Sequence, residues 1–265
     1  MAISAIAVLS ILALGTTSSV MQELRLAKFL TDANTSSATA SSVVELAKVI
    51  FPVSSGPVTL TLYNLRPWTI PLGDKTIEAS YSDEENKINI SRVPRDLIQR
   101  LPGLTNGGSV LDHIVNTRVR FKEELLLIDG MTQEIYNGLK DLVTTYGNGG
   151  VNINTASGDE LALLGMDNDL VKKIQDYRAG EDGIEGTKDD KSFVSTAAIT
   201  AAFESSFLSS SQLTLLNNLI AANELTTTVQ YLDLVIVVKK GTQKLNAYKI
   251  IMDLVSGHIV YWAEE

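Results

Sequence analysis

Cysteine is absent from the 265 residues. Its absence excludes thiol catalysis, cysteine-ligated zinc and iron–sulfur clusters. It leaves the redox compartment open, because a chain with a large enough core needs no disulfide. Histidine is nearly as scarce. His113 and His258 are the two in the chain, too far apart in sequence to suggest a triad or a multi-histidine metal site. His113, in "VLDHIVN" beside Asp112, has no nucleophile in view and reads as a helix-surface residue. Positive charge is in deficit: 22 Lys and Arg stand against 31 Asp and Glu, a formal net charge of −9. A generic attraction to nucleic-acid phosphates is therefore not expected.

Charge of either sign is missing from Met1–Gln22. At about 1.5 Å per residue a helix over Met1–Met21 would cover roughly 30 Å, one hydrocarbon core. A secretory signal would carry a basic head, and none is present, so the stretch reads as a retained membrane helix, with a cleaved signal or a buried core helix as the alternatives. Its packing residues are Ile3, Ala5, Ile6, Val8, Leu9, Ile11, Leu12 and Leu14. Helical spacing continues through Val20, Leu24 and Ala27, then Val43, Leu46, Ala47 and Ile50. "TDANTSSATASS" between them is expected to weaken the helix, and Pro52 to end it.

From residue 57 the period changes to two. "PVTLTLYNL", "KTIEASY" and "KINI" are strand candidates, and "TTVQYLDLVIVVKK", "QKLNAYKIIMDL" and "IVYWAEE" form a C-terminal antiparallel meander. Between the two groups the chain reads helical at 94–101, 108–120, 122–128, 132–143, 157–164, 168–179, 195–205 and 209–224. Strands, then helices, then strands describe an α+β body with an inserted all-helical domain. The segments are 1–52 (N-terminal helix), 53–91 (first strands), 92–225 (insert) and 226–265 (closing strands). Trp68 and Trp262 suit strand packing, and the Glu123–Glu124 pair suits a helix start.

One pattern occurs twice. "KINISRVPRDLIQRLPG" (87–103) and "VNINTASGDELALLG" (151–165) both begin apolar-Asn-apolar-(Asn/Ser) and run into a Leu-rich helix ending at Gly. Asn152, Asn154 and Thr155 can bond nearby backbone groups and fix a turn without a long loop. Ser157 is the expected N-cap of the second helix, with Glu160 as its capping-box partner. "ASGDELALLGMDNDLVKKIQDYRAG" then makes a helix-hairpin-helix-like unit with Leu161, Leu164, Val171 and Ile174 as its inner core, and "KEELLLIDGMTQEIYNGLKDLV" a second, turning at Gly130.

Such units are packing modules or DNA binders, and the 151–178 stretch is similar to the helix-hairpin-helix domain of competence DNA receptors. In DNA binders a Gly-hydrophobic-Gly turn offers its amides to a phosphate. Here the turn reads Gly165-Met166-Asp167-Asn168-Asp169, and residues 91–225 hold 12 basic against 19 acidic side chains, 12 − 19 = −7. Repulsion at the turn outweighs Lys172 and Lys173, so nucleic acid is not expected as a partner.

"AGEDGIEGTKDDKSF" (179–193) gathers five acids, Glu181, Asp182, Glu185, Asp189 and Asp190, between glycine turns. A hard cation takes six to eight oxygens from carboxylates and carbonyls. A Ca²⁺ site is expected on Asp182, Asp189, Asp190 and the Thr187 carbonyl, with Glu185 as a further ligand; a solvated acidic loop is the alternative.

A charge-free N-terminal helix leads into strands, "DEENKINIS", an insert with "EELLLIDGMTQEIYNGLKDLVTTYGNGGVNINTAS", "DKSFVS" and three closing strands. This order resembles the K-type minor pseudopilin of the type II secretion system (general secretion pathway protein K), most specifically over 121–165. The resemblance implies a pilin-like fold, a long N-terminal helix packed on an antiparallel sheet, with the insert at the filament tip. It implies a structural subunit and no enzyme, anchored in the bacterial inner membrane by a single N-terminal span with its body in the periplasm. Its partners would be I- and J-type minor pseudopilins, the major pseudopilin and secreted substrate proteins, and its task to cap the pseudopilus and support export across the outer membrane. Pilin-like chains usually carry Glu at position 5 to neutralise the amine of the preceding subunit. Ala5 stands here, as in K-type chains, and suits a tip subunit with no predecessor. The family's usual basic leader is not in this sequence, so Met1 is expected to open the mature chain. The family also binds Ca²⁺ in its helical domain, in line with the acidic loop. The second reading is a membrane-tethered helix-hairpin-helix DNA receptor of a competence or pilus system.

Overall fold

The computed structural model describes residues 34–51, 56–105, 108–117, 119–203 and 207–265, together with Glu23 and Thr31. The expected membrane span and its packing residues, Ile3 to Leu14, lie outside the described residues. Among the described residues no helix is long and apolar enough to cross a membrane.

Residues 34–50 form helix α1. Its Ser/Thr-rich part is a regular helix where a weak point was expected. The hydroxyls turn back onto the helix: Thr35 Oγ1 donates to Thr31 O at 2.7 Å and Thr39 Oγ1 to Thr35 O at 2.8 Å. That i−4 bonding satisfies these hydroxyls without opening the ladder, while the buried Ser36 Oγ has no partner among the described residues. Ala40, Val43, Val44 and Ala47 recur at helical spacing on one buried face.

That face packs on a five-stranded antiparallel sheet of order β1-β2-β7-β8-β9. Its strands are β1 (Trp68–Leu72), β2 (Lys75–Asp83), β7 (Tyr231–Lys240), β8 (Gln243–Asp253) and β9 (Ile259–Glu264). Alternation sets the buried side. Ile77, Ala79 and Tyr81 of β2, Leu232, Leu234, Ile236 and Val238 of β7, and Tyr248, Ile250 and Met252 of β8 join α1 and Phe51 in one core. The closing strands fall where the alternation predicts. "PVTLTLYNL" does not form its expected strand. Only Val58 bridges to Val229, and Asn64 Oδ1 draws Thr61 N in at 2.8 Å to fold residues 61–66 into a turn. The strand forms at "WTIPL" instead, where Pro71 is tolerated because β1 lies at the sheet edge.

The chain leaves the sheet after Asp83 and rejoins it at Tyr231, and Asp83 pairs with Leu232 across the β2–β7 ladder. The two ends of the insert are therefore neighbours. Within it run α2 (Arg95–Gln99), α3 (Gly108–Asn116), α4 (Gln133–Leu139), α5 (Gly158–Leu163), α6 (Asn168–Arg178), α7 (Thr196–Ala201) and α8 (Ser210–Ala221). The run at 122–128 is a 3-10 helix, Lys122–Leu127, shorter and tighter than the α-helix its Leu content suggested. Leu101, Leu111, Ile114, Leu125, Leu139, Leu161, Leu170, Ile174 and Leu216 belong to a second core, separate from that of the sheet.

Two parallel ladders of two residues each complete the insert: β3 (Ile88–Asn89) with β4 (Val143–Thr144), and β5 (Val151–Asn152) with β6 (Leu225–Thr226). They explain the repeated motif. In both copies the Asn side chain accepts from the amide two residues on, Ser91 N at 3.1 Å and Asn154 N at 3.0 Å. In both, the Asn carbonyl then accepts the next turn's amides, Arg92 and Val93 in one, Thr155 and Ala156 in the other. Each copy is the same unit: a strand step, an Asx turn and a helix.

Candidate functional site

The second copy does more than turn the chain. Asn152, Asn154 and Thr155 are all buried, and their side chains reach three distant segments. Asn152 Nδ2 and Thr155 Oγ1 donate to Asp83 Oδ2 at 2.8 and 2.6 Å, and Glu85 N donates to Asp83 Oδ1 at 2.8 Å. Asn154 closes a two-way bond with Phe193: Phe193 N donates to Asn154 Oδ1 at 2.7 Å, and Asn154 Nδ2 donates to Phe193 O at 3.0 Å and to Thr227 O at 2.9 Å. Arg178 Nη1 donates to the carbonyls of Ile153 and Ala156 at 2.9 and 2.7 Å. Residues 151–157 thus form a polar knot joining the end of β2, the end of α6, the segment after the acidic loop and the return to β7. Buried polar groups cost little when every one is paired, and here they are.

Beside the knot, "DEEN" carries three buried acids with different fates. Burial pushes the Asp83 carboxyl up to about 7 against its donors, with the Glu85 charge adding to the rise. Burial also raises Glu85, which accepts from Gln230 N and, at 3.3 Å, from Tyr231 N. Burial acts on Glu84 in the same sense but is overcome by the Lys87 ammonium at 2.6 Å, so its carboxyl is held below the usual range; Thr144 Oγ1 donates to it at 2.6 Å. Asp233 lies 3.1 Å from Lys249 and 3.8 Å from Lys87. The joint between sheet and insert is an ionic layer of Glu84, Lys87, Asp233 and Lys249. A cavity of about 20 Å³ lies next to it, bordered by Lys122, Tyr146 and Tyr261, with room for about one water.

The hairpin turn is built as expected. Ser157 and Glu160 form the capping box, Leu161, Leu164, Val171 and Ile174 are buried, and Gly165 takes φ +92°. Part of the turn is already committed: Gly165 N donates to Ala162 O at 2.9 Å. Asp167 Oδ1 accepts from Leu170 N at 2.7 Å, and Gln212 of α8 donates to Asp167 Oδ1 at 3.1 Å and Asp169 Oδ2 at 2.9 Å. Lys173 pairs with Asp169 at 2.6 Å and Lys172 with Asp176 at 2.9 Å. Lys173 and Gln212 hold the Asp169 carboxyl below its usual range. A phosphate would meet two carboxylates at this helix start. In a gel-shift assay at low salt the full chain is expected to leave duplex DNA unretarded; a shift at micromolar protein would overturn that expectation.

The acidic loop does not converge on a point. Asp189 Oδ2 accepts from Glu181 N and Asp182 N at 2.7 and 3.0 Å, and Asp189 Oδ1 from Thr187 Oγ1 at 2.7 Å. Asp190 accepts from Gly186 N, from Thr187 N and, across to the body, from Tyr63 N at 3.0 Å. Asp182 Oδ1 accepts from Ile184 N at 2.8 Å, and Glu185 pairs with Arg178. Among the described residues no group of three or more His, Asp or Glu is placed to hold a metal ion. In this geometry the carboxylate oxygens of Asp182, Glu185, Asp189 and Asp190 are taken up by backbone amides, the Thr187 hydroxyl and the Arg178 guanidinium. Spacing showed the acids and the glycines, but not the N–H donors that take up the carboxylate oxygens.

No family model matches this chain, and no curated protein matches it. Among solved structures, it matches a chain of the crystal structure of the GspK-GspI-GspJ complex from the type 2 secretion system of enterotoxigenic Escherichia coli. The TM-score is 0.64 and the identity 15%, over 92% of this chain and 99% of that chain. The fold is pilin-like. At this identity the likeness is one of architecture, a helix-backed antiparallel sheet interrupted by a helical insert, and it extends across both the body and the insert.

Proposed function

We propose that this chain is a minor pseudopilin: a structural subunit of a type II secretion pseudopilus that caps its tip and supports protein export across the outer membrane. The observation that carries the reading is the likeness over nearly the whole length of both chains, insert included. In this reading Met1–Met21 anchors the subunit in the inner membrane and the body stands in the periplasm. With Ala5, residues 1–22 carry no acid, which suits the leading position in a bundle of such helices. I- and J-type minor pseudopilins are the partners, because GspI and GspJ accompany GspK in the matched complex. The major pseudopilin and secreted proteins are the further contacts.

The interior agrees with a structural role. The polar knot at 151–157 and the Glu84–Lys87–Asp233–Lys249 layer join body and insert. The experiment is co-purification. Tagged full-length protein, extracted in mild detergent, is expected to bring down the neighbouring minor subunits in fixed ratio. Recovery of the protein alone, from cells that express those subunits, would overturn the assignment.

A further inference from the structure

We infer that residues 179–191 form a latch closed by an internal cation, the Arg178 guanidinium, in place of a metal ion, and that Asp190 uses this latch to hold the insert against the body. Arg178 ends α6 and is 2% exposed. A buried guanidinium is tolerated only when its donors are paired. Nη1 serves the carbonyls of Ile153 and Ala156, while Nε donates to Glu185 Oε1 at 2.7 Å and Nη2 engages the same oxygen. The Arg178 carbonyl accepts from Lys191 N at 2.8 Å, which closes the base of the loop. One residue therefore ties the knot at 153–156, the middle of the loop at 185 and its return at 191.

Asp189 and Asp190 are held by backbone amides and one hydroxyl. Asp189 gathers Glu181 N, Asp182 N and the Thr187 hydroxyl, and those donors pull its carboxyl down to about 2. The chain comes close enough for this at Gly180, where φ is +71° and a Cβ would stand 2.3 Å from the Asp189 carbonyl oxygen. Asp190 gathers Gly186 N and Thr187 N from its own loop and Tyr63 N from the body. Tyr63 belongs to the 61–66 turn, which Arg66 stiffens by lying over the Tyr63 ring at 3.9 Å and donating to its carbonyl at 3.2 Å. The body thus offers the latch a fixed amide. Donors and one guanidinium supply the positive potential that a Ca²⁺ ion would bring to a cage of carboxylates.

The test follows amide hydrogen exchange and thermal unfolding of the full chain in detergent. Wild-type protein is expected to melt at the same temperature in excess EDTA and in millimolar CaCl₂, with loop exchange unchanged. Asp190→Asn is expected to speed exchange at Tyr63, Gly186 and Thr187 by roughly tenfold or more, the loss of a charge-assisted bond, and to leave β7 and β8 unaffected. Arg178→Lys keeps the charge but loses the fork, and is expected to loosen the whole loop without gaining a response to Ca²⁺. A rise of several degrees in the wild-type melting temperature on adding Ca²⁺, or slower loop exchange with it, would overturn the internal-cation claim. Unchanged exchange at Tyr63 in Asp190→Asn would overturn the latch.

Discussion

Asn154→Ala is expected to lower the unfolding free energy by about 4 kcal/mol, a large effect for one side chain on the inside of a turn. The side chain is 2% exposed and holds Phe193 N, Phe193 O and Thr227 O. Removing the amide strands all three backbone groups in the interior. Each stranded group costs roughly 1–3 kcal/mol, and the costs do not add fully because neighbours relax. The damage would spread, since Phe193 stacks on Tyr177 with ring centroids 4.4 Å apart and packs against Phe203 at 6.0 Å. Asn154→Asp should be no rescue: it keeps an acceptor for Phe193 N but turns a carboxylate toward two carbonyls. Urea unfolding followed by near-ultraviolet circular dichroism checks this. A loss under about 1 kcal/mol would mean that water takes the amide's place.

The placement of such a residue also marks how far the sequence could be read. Asn152 and Asn154 declared themselves locally: an alternating apolar-Asn step before a Leu-rich helix is a turn signature, and the Asx bond to the second residue on is visible in the spacing. Their long-range partners were not. Asp83 lies 69 residues before Asn152, and Phe193 and Thr227 lie 39 and 73 residues after Asn154. No periodicity carries information across such distances. The same limit hid the two-residue parallel ladders, which are too short to alternate, and β1, whose Pro71 argues against a strand unless the edge is known. In sequence Arg178 is simply a basic residue in the last turn of a helix. Its burial comes from the chain folding back at 180–191 and could not be read from α6 alone.

The architecture gives a reason for concentrating polar groups at one joint. The last sheet residue before the insert, Asp83, is already paired with Leu232 of the returning strand. The insert therefore leaves and rejoins the body at adjacent points and needs no change in the sheet. Its own core is separate from the body's. Apolar contact alone would leave the angle between two such units loosely set, because hydrophobic burial is non-directional. Hydrogen bonds are directional. The knot at 151–157, the Glu84–Lys87–Asp233–Lys249 layer and the Asp190–Tyr63 bond tie the insert to the body at three places. The proposed role, in which the insert meets neighbouring subunits, calls for that fixity.

Stability is expected to fall as pH rises from about 4 to about 7, with Asp83 as the main cause. Its carboxyl is fully buried. Burial raises it from 3.8 to about 7, the Glu85 charge adds to the rise, and the donors Thr155, Asn152 and Glu85 N only partly offset it. Below pH 4 the proton is bound in both folded and unfolded chains. Between about 4 and 7 it is bound in the folded chain alone, so each step upward in pH favours unfolding; above 7 both states are ionised and the loss is complete. Over about three pH units one such group contributes at most about 4 kcal/mol. Burial raises Glu85 and Asp233 as well, and they act in the same direction. Glu84, held low by Lys87, opposes them. Urea midpoints across this range, for wild type and Asp83→Asn, separate Asp83 from its neighbours. The variant should be weaker at pH 5, where its amide nitrogen would face the Asn152 and Thr155 donors, but its midpoint should depend less on pH. Parallel pH profiles in the two proteins would assign the titration to Glu85 or Asp233 and leave Asp83 a carboxylate throughout, held by its three donors.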